Sequence, residues 1–121
     1  MAGGMTNLKT LLIMIKDNKD FDANLILDEG CILNTDDQTS LIKVLNYLIN
    51  YLKQLTDKPL EIGLDLRSAD YLLSMMAFTD RNEFPEMSDS IEEALKPYKA
   101  THEIINQPGK YIQSKITFKK D

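Results

Sequence analysis

The chain has little of what would staple, metallate or wrap it. A single cysteine, Cys31, excludes an intrachain disulfide, so the fold must rest on an apolar core; this suits a reducing, cytoplasmic setting. With one cysteine and one histidine, His102, no nucleophile–base pair stands out. Acidic residues outnumber basic ones 19 to 14, giving a net charge of −5. Nucleic-acid binding is thereby disfavoured, because phosphate neutralisation needs clustered cations. The only basic cluster, Lys110, Lys115, Lys119 and Lys120, reads as a solvated strand edge. The longest apolar run, LLIMI at 11–15, is too short to span a bilayer, and no signal peptide is visible. Glycine is absent from Leu64 to Pro108, which removes from that interval the residue that most easily takes positive φ.

What is present suits one globular domain. The 121 residues are 43% hydrophobic and 27% charged, enough apolar content for a core and ordinary charge for a folded surface. No repeat or interdomain linker is visible. Residues 1–4, MAGG, read as a tag or flexible start, with Met5 as a possible native start. Residues 6–18 read as a helix opened by Thr6 or Asn7, with the stripe Leu8, Leu11, Leu12 and Ile15; a strand is the alternative for the LLIMI run. Residues 21–27 alternate as a half-buried strand, Asp28-Glu29-Gly30 is a turn, and 31–33 a short strand.

Residues 37–55 form the strongest helix, capped from among Asn34, Thr35, Asp36 and Asp37. Its buried stripe is Leu41, Val44, Leu45, Leu48, Leu52 and Leu55. Leu60, Ile62, Leu64 and Leu66 alternate with Glu61, Gly63, Asp65 and Arg67 in a strand that turns at 68–70 into a second one at 71–78. Residues 79–88 are loop. Ser88 or Asp89 is expected to cap a helix running to about Tyr98, with Glu92 and Glu93 in its first turn. Strands at 101–106 and 111–119 flank a Gln107-Pro108-Gly109 turn. The order predicts an α+β two-layer sandwich, a mixed and mostly antiparallel sheet with helices on one face.

Three segments carry a family resemblance: DDQTSLIKVLNYLINYL (36–52), LEIGLDLRSADYLLSMM (60–76) and EIINQPGKYIQSKITF (103–118). Together they resemble the ATP-binding domain of sensor histidine kinases, the GHKL or Bergerat fold, over about residues 20–119. The chain then divides into a start plus apolar helix, 1–19, and one histidine-kinase-ATPase-like domain, 20–121. In that family two asparagines on the long helix face the phosphates, and the second helps hold Mg²⁺ through its amide oxygen. Aligning the leucines puts Tyr47 and Tyr51 at those two places. Asn46 and Asn50 fall one residue early, roughly 100° around the helix, and read as solvated.

The family also needs an Asp-x-Gly-x-Gly turn after the second hairpin strand. Here that place is MAFTDRNEF, where Asp80 stands for the adenine-reading Asp and no glycine follows. The resemblance therefore implies a degenerate nucleotide site at Tyr47, Tyr51 and Asp80, with neither ATP nor Mg²⁺ as cofactor. It implies no catalytic residue and no dedicated metal site. The expected role is a non-catalytic protein-interaction or regulatory module in bacterial signalling, acting with a protein partner or as a homodimer, for which helix 6–18 offers an apolar face. The alternative is a divergent ATP-binding kinase of the anti-sigma-factor type.

Remaining candidates read more simply as structure. Cys31 suits the core, Met75 and Met76 fill core and surface gaps, His102 at a strand start reads as structural or solvated rather than a phosphoacceptor, and Asp36-Asp37 as a helix cap rather than, with Glu29, a divalent site. Glu61, Asp65 and Arg67 read as a solvated sheet face.

Overall fold

The computed structural model describes residues 4–120; most of the expected N-terminal tag, residues 1–3, lies outside them. Strand β1 (Thr6–Asn7) leads straight into helix α1 (Leu8–Lys19). The Asn7 side chain caps α1 by accepting from the Thr10 N–H at 3.2 Å, which satisfies one of the helix's orphan donors. The chain leaves α1 through Asp20, at φ 54°, whose N–H returns to the Lys16 carbonyl. Leu8, Leu11, Leu12 and Ile15 are all buried, so periodicity won over strand propensity in the LLIMI run. That stripe packs into the same core as the rest of the chain. It is therefore not free for a dimer contact, and α1 presents only Ile13 and Met14 outward as large apolar residues.

Strand β2 (Ala23–Leu27) alternates half-buried and exposed, as its sequence alternates. The two-residue strand β3 (Ile32–Leu33) pairs antiparallel with β1, Thr6 opposite Leu33. Asp37 then caps helix α2 (Gln38–Lys53) by accepting from the Ser40 N–H at 3.2 Å.

The hairpin of β4 (Leu60–Leu66) and β5 (Asp70–Phe78) closes with the Arg67 N–H on the Asp70 carbonyl at 3.0 Å. Helix α3 is shorter than expected, only Ile91–Leu95, followed by a 3₁₀ turn at Lys96–Tyr98. Its cap position is Ser90 rather than Ser88 or Asp89, and no side chain caps it. Such a helix has no local nucleus and depends on burying Ile91 and Leu95.

The last hairpin joins β6 (Ala100–Gln107) and β7 (Tyr111–Lys119). Gly109 takes φ 78° behind Pro108, and the Lys110 N–H reaches the Gln107 carbonyl at 2.9 Å. This is a type II turn, whose third residue needs positive φ.

The five long strands form one sheet in the order β2-β4-β5-β7-β6. Only β2–β4 is parallel; β4–β5, β5–β7 and β6–β7 are antiparallel. Leu60, Ile62, Leu64, Tyr71, Leu73, Met75, Ala77, Ile112, Ile116 and Phe118 point to one face and meet the helices in a single core. The other face carries half-buried or exposed residues such as Glu61, Asp65, Met76 and Phe78. This is the two-layer α+β sandwich with a mixed sheet that the order of elements predicts.

Candidate functional site

Tyr47 and Tyr51 lie one turn apart on α2, and both reach the same piece of loop. Tyr51 is buried at the edge of the core, and its hydroxyl donates to the Pro85 carbonyl at 2.6 Å. Tyr47 is 36% exposed. Its hydroxyl accepts from the Ser88 N–H at 2.7 Å. Phe84, just before the first anchor, and Met87, between the two, pack half-buried against the core. Residues 84–88 are thus laid across the flank of α2 that the two tyrosines define.

The front of the loop is also tied. The Thr79 N–H donates to the Lys110 carbonyl at 3.0 Å, and the Gly109 N–H donates to the Arg81 carbonyl at 2.7 Å. The Thr79 hydroxyl accepts from the Arg81 N–H at 3.2 Å. Burial pushes the Tyr51 phenol pKa up, and the neighbouring Tyr47 adds to the shift. The phenol keeps its proton at neutral pH, as its donor role toward Pro85 requires.

Asp80 does not join the tyrosines. It is exposed and lines a separate cleft of about 510 Å³ at the end of the sheet, with Gln54–Lys58 and Phe78–Arg81. Neither tyrosine lines that cleft. The loop between Asp80 and α3 turns without glycine because it takes no positive-φ position; among the described non-glycine residues only Asp20 and Lys99 do.

The asparagines divide. Asn50 is exposed, as expected. Asn46 is not solvated: it is half-buried, and its Oδ1 is buried with no hydrogen-bond partner among the described residues. Ile42, Asn46 and Ile49 share a helix flank at i, i+4 and i+7, with Ile49 buried and Ile42 half-buried. The buried arc of α2 is therefore wider than the leucine stripe alone suggests.

The other candidates take structural places. Asp37 is the α2 cap, while Glu29 pairs with Lys9 at 2.7 Å. No group of three or more His, Cys, Asp or Glu side chains is placed to hold a metal ion among the described residues. Cys31 is fully buried, and desolvation pushes its thiol pKa up, the opposite of what a reactive thiolate needs. His102 Nε2 lies 2.8 Å from the buried Ser114 hydroxyl. Glu61 accepts from Asn24 Nδ2 on the open face of the sheet, while Arg67 sits past the end of β4 and pairs with Asp70. No helix among the described residues is long and apolar enough to cross a membrane.

A five-stranded mixed sheet with one parallel edge pair, backed by three helices and closed by a Pro-Gly hairpin, is the architecture of a histidine-kinase ATP-binding domain. The similarity to solved structures agrees. The histidine kinase domain of the E. coli osmosensor EnvZ superposes with a TM-score of 0.77 at 5% identity, covering 100% of this chain and 91% of that one. Acinetobacter baumannii histidine kinase AdeS gives 0.73 at 15% identity, over 98% of this chain and 68% of that one. The catalytic domain of histidine kinase ThkA gives 0.71 at 13% identity, over 99% and 97%. No protein-family model and no curated protein sequence matches the chain. At these identities the likeness is one of fold.

Proposed function

We propose that this chain is a non-catalytic protein-interaction or regulatory module for signalling, built on the histidine-kinase ATPase fold with its nucleotide site closed. One observation carries the reading. The two α2 positions where the fold's ATP-binding members place amides hold tyrosines, and both phenols grip backbone atoms of the 84–88 segment. Where a phosphate-wrapping lid must be mobile and glycine-rich, this loop has no glycine and is bonded at each end. A phenol accepting from Ser88 or donating to Pro85 offers Mg²⁺ no amide oxygen. The module then works through its surface, by contact with a protein partner or a second copy.

The test is a thermal-shift titration with Mg-ATP and Mg-ADP. A ligand at 100 times its dissociation constant adds about 2.7 kcal/mol. At roughly 4 °C per kcal/mol for a domain of this size, that is a rise of about 10 °C. The reading expects no rise. A saturable rise abolished by Asp80→Ala would instead establish the second reading, a divergent ATP-binding kinase of the anti-sigma-factor type. The observation favouring that alternative is the cleft in which Asp80 stands beside Thr56, Lys58 and Arg81.

A further inference from the structure

We propose that the end of the sheet where β6 begins and β7 finishes carries a phosphoryl-binding pocket built on Lys99, Lys119 and Lys120. The proposal does not depend on the state of the nucleotide site. Tyr71, which lines the pocket, and Phe78, which lines the cleft of Asp80, stand at opposite ends of β5. That length of strand separates them by roughly 23 Å.

Charge singles the pocket out. On a chain of net charge −5, its charged lining side chains among the described residues are three lysines and no carboxylate. Carboxylates close by in sequence are committed elsewhere: Asp37 caps α2 and Asp70 pairs with Arg67. The lysines are not one run of sequence. Lys119 and Lys120 finish β7, whereas Lys99 precedes β6. Backbone bonds bring them together, from the Lys119 N–H to the Lys99 carbonyl at 3.0 Å and from the Lys120 N–H to the Ala69 carbonyl at 3.1 Å. Lys120 is half-buried, its ammonium 5.4 Å from the centre of the Tyr71 ring and 3.4 Å from the Ser68 carbonyl. Like charges gathered around one small pocket repel, and a shared anion relieves that repulsion.

The backbone of Lys99 gives a second sign. It stands at φ 54° and ψ 41°, the left-handed place that follows the 3₁₀ turn. Glycine or asparagine ordinarily fills such a place, because a Cβ there is strained. A lysine kept in a strained conformation points to work for its side chain.

Size and donors select the ligand. The pocket encloses about 50 Å³, room for an oxyanion head and far too little for a nucleoside. Asn34 and Thr35 also line it. Asn34 is exposed and offers its amide, while Thr35 Oγ1 accepts from the Asp37 N–H at 3.1 Å and keeps its own proton to give. A phosphoryl group, with nearly two charges and three acceptor oxygens, matches three ammoniums, an amide and a hydroxyl better than a singly charged carboxylate does.

The experiment is an amide-resolved NMR titration of the full chain with inorganic phosphate, at an ionic strength held constant with chloride. Saturable shifts should centre on residues 34–35, 98–100 and 118–120. Lys99→Gly keeps the turn, since glycine takes positive φ freely, and Lys119→Gln removes only an exposed ammonium. Each should weaken phosphate binding about fivefold, the share of one charge-assisted bond partly screened by solvent. Lys110→Gln removes the same charge beyond the other end of β7 and should leave the dissociation constant unchanged. A second titration, with a glycine peptide carrying one phosphoserine, identifies the source of the group. Binding tighter than that of inorganic phosphate means that it arrives on a partner chain; binding no tighter means a free ion, and the pocket stands in both cases. Shifts that do not saturate overturn the proposal. So does an unchanged dissociation constant in folded Lys99→Gly and Lys119→Gln, or an equal loss in Lys110→Gln.

Discussion

Removing one oxygen atom should loosen a loop and leave the sheet alone. Tyr51→Phe deletes the hydroxyl that donates to the Pro85 carbonyl at 2.6 Å. The ring stays buried, so no cavity forms. Pro85 is exposed, so its carbonyl regains a water bond and the loss stays near the net value of one hydrogen bond, about 1 kcal/mol. With unfolding entropy near 2.1 cal/mol/K per residue, that is a fall of roughly 4 °C in Tm. Tyr47→Phe frees the Ser88 N–H, bonded at 2.7 Å, at a more exposed place; about 0.5 kcal/mol is expected there. The two phenols hold the same segment, so the double variant should show a coupling of about 0.5 kcal/mol in a double-mutant cycle. The sharper readout is local. In Tyr47→Phe the Ser88 amide should exchange with solvent much faster while amides of β5 and β7 keep their protection. Unchanged Ser88 exchange, or two single losses that add without coupling, would show that the phenols do not pin the loop.

Acid should destabilise the fold through His102. Burial lowers its pKa, outweighing the opposing pull of Glu92. A lowered imidazole pKa means that the unfolded chain binds the proton more readily, so stability is complete above about pH 6.5 and falls as pH drops from there to the folded pKa. Urea midpoints across pH 7.5 to 5 should therefore decline less in His102→Gln than in the parent. Asp37→Ala removes the α2 cap and should cost about 1 kcal/mol in urea unfolding, with Asp37→Ser largely restoring it. Gly109→Ala forces a Cβ into positive φ, 3.4 Å from Asn82 Oδ1, and should cost about 1 kcal/mol of stability by thermal unfolding. A maleimide should label Cys31 only at the rate of unfolding, since the thiol is fully buried.

Which of these features can be read in the residues themselves depends on how local their causes are. The β4 alternation and the α2 leucine stripe are set by strand and helix periods, and the structure follows both. Asn7 and Asp37 sit where caps belong and make the expected bonds. The short helix α3 is different. It has no side-chain cap and is held by contacts with α2 and β6, so nothing local marks its ends. The pairing of β1 with β3 joins two residues to two across an intervening helix, and no sequence period announces it. At the candidate site the tyrosine positions were legible from the leucines around them. Their partners were not, because both are backbone atoms of a loop. Asn46 misleads a helical wheel that counts only leucines, since Ile42 and Ile49 widen the buried arc on its flank.

The strand order carries a consequence for how the chain is made. β7 comes last in sequence yet lies inside the sheet, between β5 and β6. Its bonds to β5 span from Phe78 opposite Tyr111 to Asp70 opposite Lys119. A nascent chain with β2, β4 and β5 already outside the ribosome still exposes the flank of β5, and β6 has no neighbour at all. The sheet closes only when residue 119 clears the exit tunnel. Such long-range pairing is slow to form and prone to aggregation while it waits. A chain released from the ribosome without β7 has the flank of β5 unpaired and β6 without a neighbour, two open edges at once that invite chaperone capture.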